Sequence, residues 1–341
     1  MLRKIRITLA TLFFVGITAL FLDFTGVLPA YFGWMAKIQF IPALLAVNVG
    51  VVAGLLLLTF IFGRIYCSTI CPLGVMQDAI SWMAGRKNKR RFTYSKGKTV
   101  LRTTMLMLFA AALVANVAWL AAFIEPYSAY GRMVNSLLAP LYGWGNNLLA
   151  YLAERGLAFG ERADSYMFYT TDVWLKSVGT LVVAAVTFIV IAVLAWRNGR
   201  TWCNTICPVG TLLGAVSRFS LLKPTIDTSK CSGCKLCARN CKASCIDSDN
   251  KSIDYSRCVA CMDCVESCNR GAIGYRYAGF GKATKKQKQT TSDNGRREFL
   301  TAGAMVAAGS LFAQANKKVD GGLAVIEDKK VPERATPVVH V

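Results

Sequence analysis

The stretch GRIYCSTICPLG at residues 63–74 occurs a second time, as GRTWCNTICPVG, at residues 199–210. Eight of the twelve positions are identical, including two cysteines separated by three residues and the proline that follows the second cysteine. Each copy comes directly after a long apolar run. The doubling predicts a bundle of helices built from two similar halves, each of which ends in the same pair of thiols.

The composition favours a membrane protein, because 54% of the 341 residues are hydrophobic. Apolar runs long enough to cross a bilayer occur at about residues 5–22, 40–62, 100–124 and 173–196. The apolar segment 133–153 contains Pro140, glycines and asparagines, so we expect it at the outer interface rather than in a fifth span. We therefore predict a membrane α-helical bundle of four spans, in contact with lipid, in which the first span is retained.

The net charge of +21 is unevenly distributed. Residues 64–98 contain eight Lys or Arg and a single acid, Asp78, whereas residues 125–172 contain three arginines and five acids. Short basic loops stay in the cytoplasm, so we expect the N-terminus, the first basic loop and the chain after residue 196 to face inward. Topology thus explains the charge, and nucleic acid is not expected as a partner.

Two cysteine runs follow, CSGCKLCARNC at 231–241 and CVACMDCVESC at 258–268, with the shared spacing C-x2-C-x2-C-x3-C. Such a run supplies three thiolates to one 4Fe–4S cluster and its fourth to the neighbouring cluster. We assign one cluster to Cys231, Cys234, Cys237 and Cys268, and the other to Cys258, Cys261, Cys264 and Cys241. Zinc and disulfides fit less well, because His340 is the single histidine and cytoplasmic thiols stay reduced.

Over about residues 225–278 the chain resembles the bacterial two-cluster ferredoxins, which implies a small α+β domain. Lys242 and Asn269 stand where that family has a proline after the fourth cysteine. The thirteenth cysteine, Cys245, is expected to be a small buried packing residue rather than a ligand.

Two spans followed by the motif, twice over, predict a pseudo-two-fold axis along the membrane normal. That axis would bring four cysteines together at the cytoplasmic end of the bundle: Cys67, Cys71, Cys203 and Cys207. Three alternatives stay open for them, namely a metal or iron–sulfur centre, redox-active dithiols, or packing in a structural turn. The proline predicts that the second cysteine of each pair caps a helix. Arg64 and Arg200 could compensate thiolates, but we expect them at lipid headgroups.

The doubled motif with a two-cluster ferredoxin behind it resembles the membrane polyferredoxins related to NapH and the C-terminal half of NosR, over about residues 40–278. The resemblance implies electron transfer between the quinone pool or a cytoplasmic donor and a partner reductase, at the bacterial inner membrane. The covalent-flavin region of full NosR proteins is missing from the sequence. The alternative is a redox-responsive regulatory or cofactor-assembly factor. We assign no catalytic residue and expect an electron-transfer component rather than a stand-alone catalyst.

GRREFLTAGAMVAAGSLFAQA at residues 295–315 resembles a twin-arginine signal, although it lies far from the N-terminus. It would carry the tail into the periplasm; the alternative is a short amphipathic helix in a linker. We also expect that the chain stops before a further domain. The predicted organisation is a first two-span repeat (1–98), a second (99–224), the ferredoxin domain (225–278), a basic linker (279–298), the twin-arginine-like segment (299–315) and an extended tail (316–341).

Overall fold

A single long helix, α1, begins the chain at Leu2–Leu22. The structure, a computed structural model, describes residues 2–23, 26–88, 92–154, 178–278, 319–320 and 324–325. The basic linker, the twin-arginine-like segment and all but four residues of the tail lie outside the described residues. Those four form two short paired strands, β5 (Val319–Asp320) and β6 (Ala324–Val325).

The helices of the N-terminal two thirds follow one another with short connections. They are α2 (Val27–Phe32), α3 (Trp34–Lys37), α4 (Phe40–Leu45), α5 (Val49–Phe62), α6 (Tyr66–Thr69), α7 (Pro72–Asn88), α8 (Thr99–Val114), α9 (Ala118–Ile124), α10 (Pro126–Met133), α11 (Ala139–Glu154), α12 (Val178–Asn198), α13 (Thr201–Thr205) and α14 (Pro208–Ser217). Among the described residues, two of these helices, α1 and α12, are long and apolar enough to cross a membrane.

The other two predicted spans are each divided into two helices. The run 40–62 is divided between α4 and α5 at Val47, and the run 100–124 between α8 and α9 at Asn116. Val47 and Asn116 have φ values of 53° and 54°, a left-handed conformation that ends a helix. The side chain of Asn48 then caps α5, since its Oδ1 accepts a hydrogen bond from Val51 N at 3.3 Å. Two of the four runs therefore form single helices of spanning length.

The segment 133–153 is helical, although its proline and glycines predicted an interruption. A π-helical turn, Val134–Leu138, joins α10 to α11. This wider turn lies immediately before the first residues of α11, where Pro140 has no N–H to donate. The π-helical turn accommodates the proline, and α11 then continues without a break to Glu154.

A small α+β domain follows, as the ferredoxin resemblance predicted. Strand β1 (Leu222–Ile226) pairs antiparallel with β4 (Ile273–Tyr277), in a register from Leu222 opposite Tyr277 to Ile226 opposite Ile273. A second ribbon pairs β2 (Ile246–Asp247) with β3 (Ser252–Ile253). Two one-turn helices, α15 (Leu236–Arg239) and α16 (Asp263–Glu266), each hold the third cysteine of one run.

This domain lies against the ends of the helices that carry the doubled motif. Leu221 N donates to Phe60 O at 2.9 Å, at the end of α5. On the side of the second copy, Arg200 N donates to Lys242 O at 2.9 Å, and Asn204 Nδ2 donates to Ala243 O at 3.3 Å. The cysteine-rich domain therefore contacts both copies of the motif directly.

Candidate functional site

A cavity of about 260 Å³ at the surface of the α+β domain is lined by all four cysteines predicted for the first cluster. Cys234 is exposed and the other three are partly buried. Cys268 belongs to the second cysteine run, yet it lines the cavity of the first. Four thiols around one cavity are the donor set that a 4Fe–4S cluster requires.

A second, smaller cavity is lined by all four cysteines predicted for the other cluster, with Cys241 supplied by the first run. Its other walls are apolar and include Ile246, Val259 and Ala260. Three of its four cysteines, namely Cys241, Cys261 and Cys264, are buried. The donor sets therefore fit one cluster near solvent and one in the interior, with the exchange of ligands that the spacing predicts.

Cys245 is also part of the second cavity. Its side chain is 1% exposed, and its Sγ lies 3.4 Å from that of Cys241, within hydrogen-bond distance for two sulfurs. Burial agrees with the predicted packing role. Cys245 also contacts the predicted cluster ligand Cys241, and its S–H can donate a hydrogen bond to that sulfur.

We expect Cys245→Ala to leave the iron content unchanged and to lower the reduction potential of the buried cluster. A hydrogen bond to a ligand sulfur stabilises the more negative, reduced form, and alanine removes the donor. Redox titration followed by electron paramagnetic resonance measures this shift. Cys245→Ser, which keeps a donor, is the matched control and should recover much of the potential. A loss of iron on Cys245→Ala would instead make this cysteine a ligand.

The glycines of the doubled motif have the same structural roles in both copies. Gly63 and Gly199 begin the copies with φ values of 71° and 68°, which L-residues with side chains rarely adopt. Gly74 and Gly210 end them where a Cβ would collide with the carbonyl oxygens of Cys67 and Cys203 respectively. The glycines thus allow a tight turn before the thiols and close packing after them.

The four cysteines of the doubled motif are all buried and interact electrostatically with one another. Cys207 caps α14, as the proline predicted, since its Sγ accepts from Gly210 N at 3.3 Å. Burial raises the pKa of the Cys203 thiol to about 11, although the charge of Arg200 opposes the shift.

Arg64 and Arg200 are completely buried, so the expectation that they lie at lipid headgroups was wrong. Each guanidinium turns inward to the other copy of the motif. Arg64 Nη2 donates to Cys203 O at 3.3 Å, and Arg200 Nη1 donates to Cys67 O at 2.6 Å. The two arginines therefore link the two copies of the motif by reciprocal hydrogen bonds next to the cysteines.

Asp78 is a central residue that the sequence did not single out. Its carboxylate lies 2.7 Å from Arg200 Nη2, 3.2 Å from Arg6 Nη1 and 3.8 Å from Lys242 Nζ. Burial alone would raise the pKa of Asp78, but Arg200 and Lys242 hold it well below its usual range. Lys242 also pairs with Asp263 at 3.1 Å. Two signals were present: the one acid in a basic loop, and a lysine in place of the usual proline.

Comparison with known proteins shows which proteins share these features. A model described as a 4Fe-4S binding domain matches residues 44–91 and 180–226, each of which contains one copy of the doubled motif. The methylamine utilization ferredoxin-type protein MauN of Paracoccus denitrificans is 25% identical over 180 residues, 52% of this chain and 48% of MauN. The ferredoxin-type protein NapH of Escherichia coli is 25% identical over 184 residues, 52% of this chain and 47% of NapH. The chain is similar to the NapH-like polyferredoxins.

The chain spans about half the length of those two relatives and 62% of the MauN of Methylorubrum extorquens, to which it is 25% identical over 228 residues. No solved structure matches it significantly. Its cofactors are two 4Fe–4S clusters, which agrees with the two cavities, each lined by four of the eight predicted ligands.

Proposed function

We propose that this chain is a membrane electron-transfer protein that links the quinone pool or a cytoplasmic donor to a partner reductase. The observation that carries the proposal is the depth of the two cysteine-lined cavities. One is lined by the exposed Cys234, and the other by Cys241, Cys261 and Cys264, which are buried. A surface centre can meet a partner protein, and a buried centre can pass electrons toward the membrane.

Short contacts join the buried cavity to the doubled motif. Lys242, whose carbonyl accepts from Arg200 N, directly follows the predicted ligand Cys241. Ser256, whose carbonyl accepts from Arg64 Nη1 at 3.1 Å, lies two residues before the predicted ligand Cys258. When bound, the clusters supply one-electron redox chemistry. The chain fixes their spacing, excludes water from the inner site and sets the surrounding charge.

The placement in the membrane is part of this proposal. Two helices of spanning length and the basic loop 64–98 support an inner-membrane bundle in contact with lipid, whose α+β domain is cytoplasmic. The reciprocal contacts of Arg64 and Arg200 support two halves related by a two-fold axis. Four spans, and a twin-arginine-like segment at 299–315 that carries the tail to the periplasm, complete the proposed topology.

Stopped-flow mixing of the reduced, detergent-solubilised protein with a soluble quinone analogue tests the function. We expect the clusters to be reoxidised within the turnover time of a respiratory reductase. Cys264→Ser, which removes a predicted ligand of the buried cluster, is the matched control and should slow reoxidation of the surface cluster. Slow reoxidation of the unaltered protein, together with a partner affinity that changes with redox state, would favour the regulatory alternative.

A further inference from the structure

Arg64 is completely buried and, within the described part of the chain, has no carboxylate partner. Its guanidinium donates to Asn204 Oδ1 at 3.0 Å, to the carbonyls of Ser256 and Cys203, and to Cys67 Sγ at 3.9 Å. The oxygen acceptors are all neutral. A buried charge without a counter-ion costs free energy, so we expect a negative charge close to this guanidinium. Among its acceptors, only the sulfur of Cys67 can become negatively charged.

The two copies of the motif differ in how they neutralise their arginines. Arg200 has the carboxylate of Asp78 at 2.7 Å. The residue that corresponds to Asp78 in the second copy is Gly214. A Cβ at Gly214 would lie 2.5 Å from the carbonyl oxygen of Ser256, so no acid fits there. Ser256 O accepts from both Arg64 and the buried Arg102 instead, which leaves their charges unpaired.

Three of the four sulfurs accept hydrogen bonds from N–H groups. Cys67 accepts from Arg64, Cys203 from Gln77 Nε2 at 3.3 Å and Cys207 from Gly210 N at 3.3 Å. Donors aimed at sulfur are the surroundings of ligating thiolates in metal sites. Packing in a structural turn would need neither these donors nor the unpaired arginine.

We propose that Cys67, Cys71, Cys203 and Cys207 are the ligands of a third iron–sulfur centre, whose negative charge is balanced by Arg64. A site of four thiolates selects zinc or an iron–sulfur cluster. The chain already carries the cysteine runs of two iron–sulfur clusters, so of these two we assign the iron–sulfur centre. It would adjoin the buried cavity through the contact of Arg64 with Ser256.

Iron and acid-labile sulfide, measured on the full chain purified without oxygen, test the proposal. The two ferredoxin-like clusters account for about eight irons, and a third centre raises the total to about ten or about twelve, depending on its type. Cys67→Ser with Cys203→Ser should remove the excess and leave the paramagnetic signals of the other two clusters unchanged. Those signals also show that the variant has folded. Cys245→Ala, which removes a buried cysteine outside the set, is the matched control and should keep the excess.

Arg64→Met gives a second measurement that a packing role would not affect. Loss of the neighbouring positive charge should lower the reduction potential of the third centre, and Arg64→Lys should restore it in part. A total of about eight irons in the unaltered protein, or zinc in place of extra iron, would overturn the third centre and leave the proposed electron-transfer function standing. Protein without any iron would instead overturn that function. If the cysteine variants fail to fold, the iron and zinc content of the unaltered protein still shows whether the third centre is present.

Discussion

Replacing Cys268 by serine is expected to remove the cluster whose other ligands are Cys231, Cys234 and Cys237, although Cys268 belongs to the second cysteine run. The reason is that Cys268 lines their cavity and is absent from the lining of the other. A cubane that loses one of its four thiolates is commonly lost or degraded, so the variant should lack about four irons relative to the unaltered protein. Iron analysis combined with electron paramagnetic resonance measures both the amount and the identity of the lost centre.

Cys241→Ser is the matched variant in the first run and should remove the other cluster. The two variants should therefore each keep the signal that the other one loses. If Cys268→Ser and Cys264→Ser abolished the same signal, each run would bind its own cluster, and the exchange of fourth ligands would be wrong.

Asp78→Asn is expected to destabilise the chain by about 3–5 kcal/mol, the usual cost of removing one partner from a buried ion pair. Asparagine keeps the size of the side chain but leaves the buried Arg200 and Arg6 without their counter-ion. Lys242 would lose one of its two acidic partners, so contact with the α+β domain should weaken too. Chemical unfolding in detergent, with loss of cluster absorbance as a second readout, measures the effect.

Asp249→Asn is the matched control for this experiment. Asp249 pairs with Lys235 at 2.7 Å, but both side chains are largely exposed. An exposed pair contributes about 0–1 kcal/mol, so the control should differ little from the unaltered protein. Equal effects of the two substitutions would contradict the central role of Asp78.

The part of the site that sequence predicts best is the part set by local spacing. The intervals within each cysteine run fix which thiols can reach one cluster, and the two cavities group the same eight cysteines. The proline of the doubled motif likewise predicted a helix cap, because its constraint acts within a few residues.

Contacts between distant parts of the chain could not be predicted in this way. Whether Arg64 points to lipid or to the interior depends on how the second copy and the α+β domain pack against it, and hydropathy carries no such information. The division of two predicted spans depends on single residues, Val47 and Asn116, in a backbone conformation that composition does not reveal. The network around Asp78 joins residues that are far apart in sequence, among them Arg6 and Lys242.

Gly214, at the position where the first copy has Asp78, limits how alike the two halves of the chain can be. A carboxylate at residue 214 and the Ser256 carbonyl cannot occupy the same space. A protein with two identical halves could have given both arginines an acid or made room for a cysteine-rich module, but it could not have done both. The two halves must therefore differ at this position for the cysteine-rich module to pack against the second one. If the second half were replaced by a copy of the first, the acid at residue 214 would collide with the module.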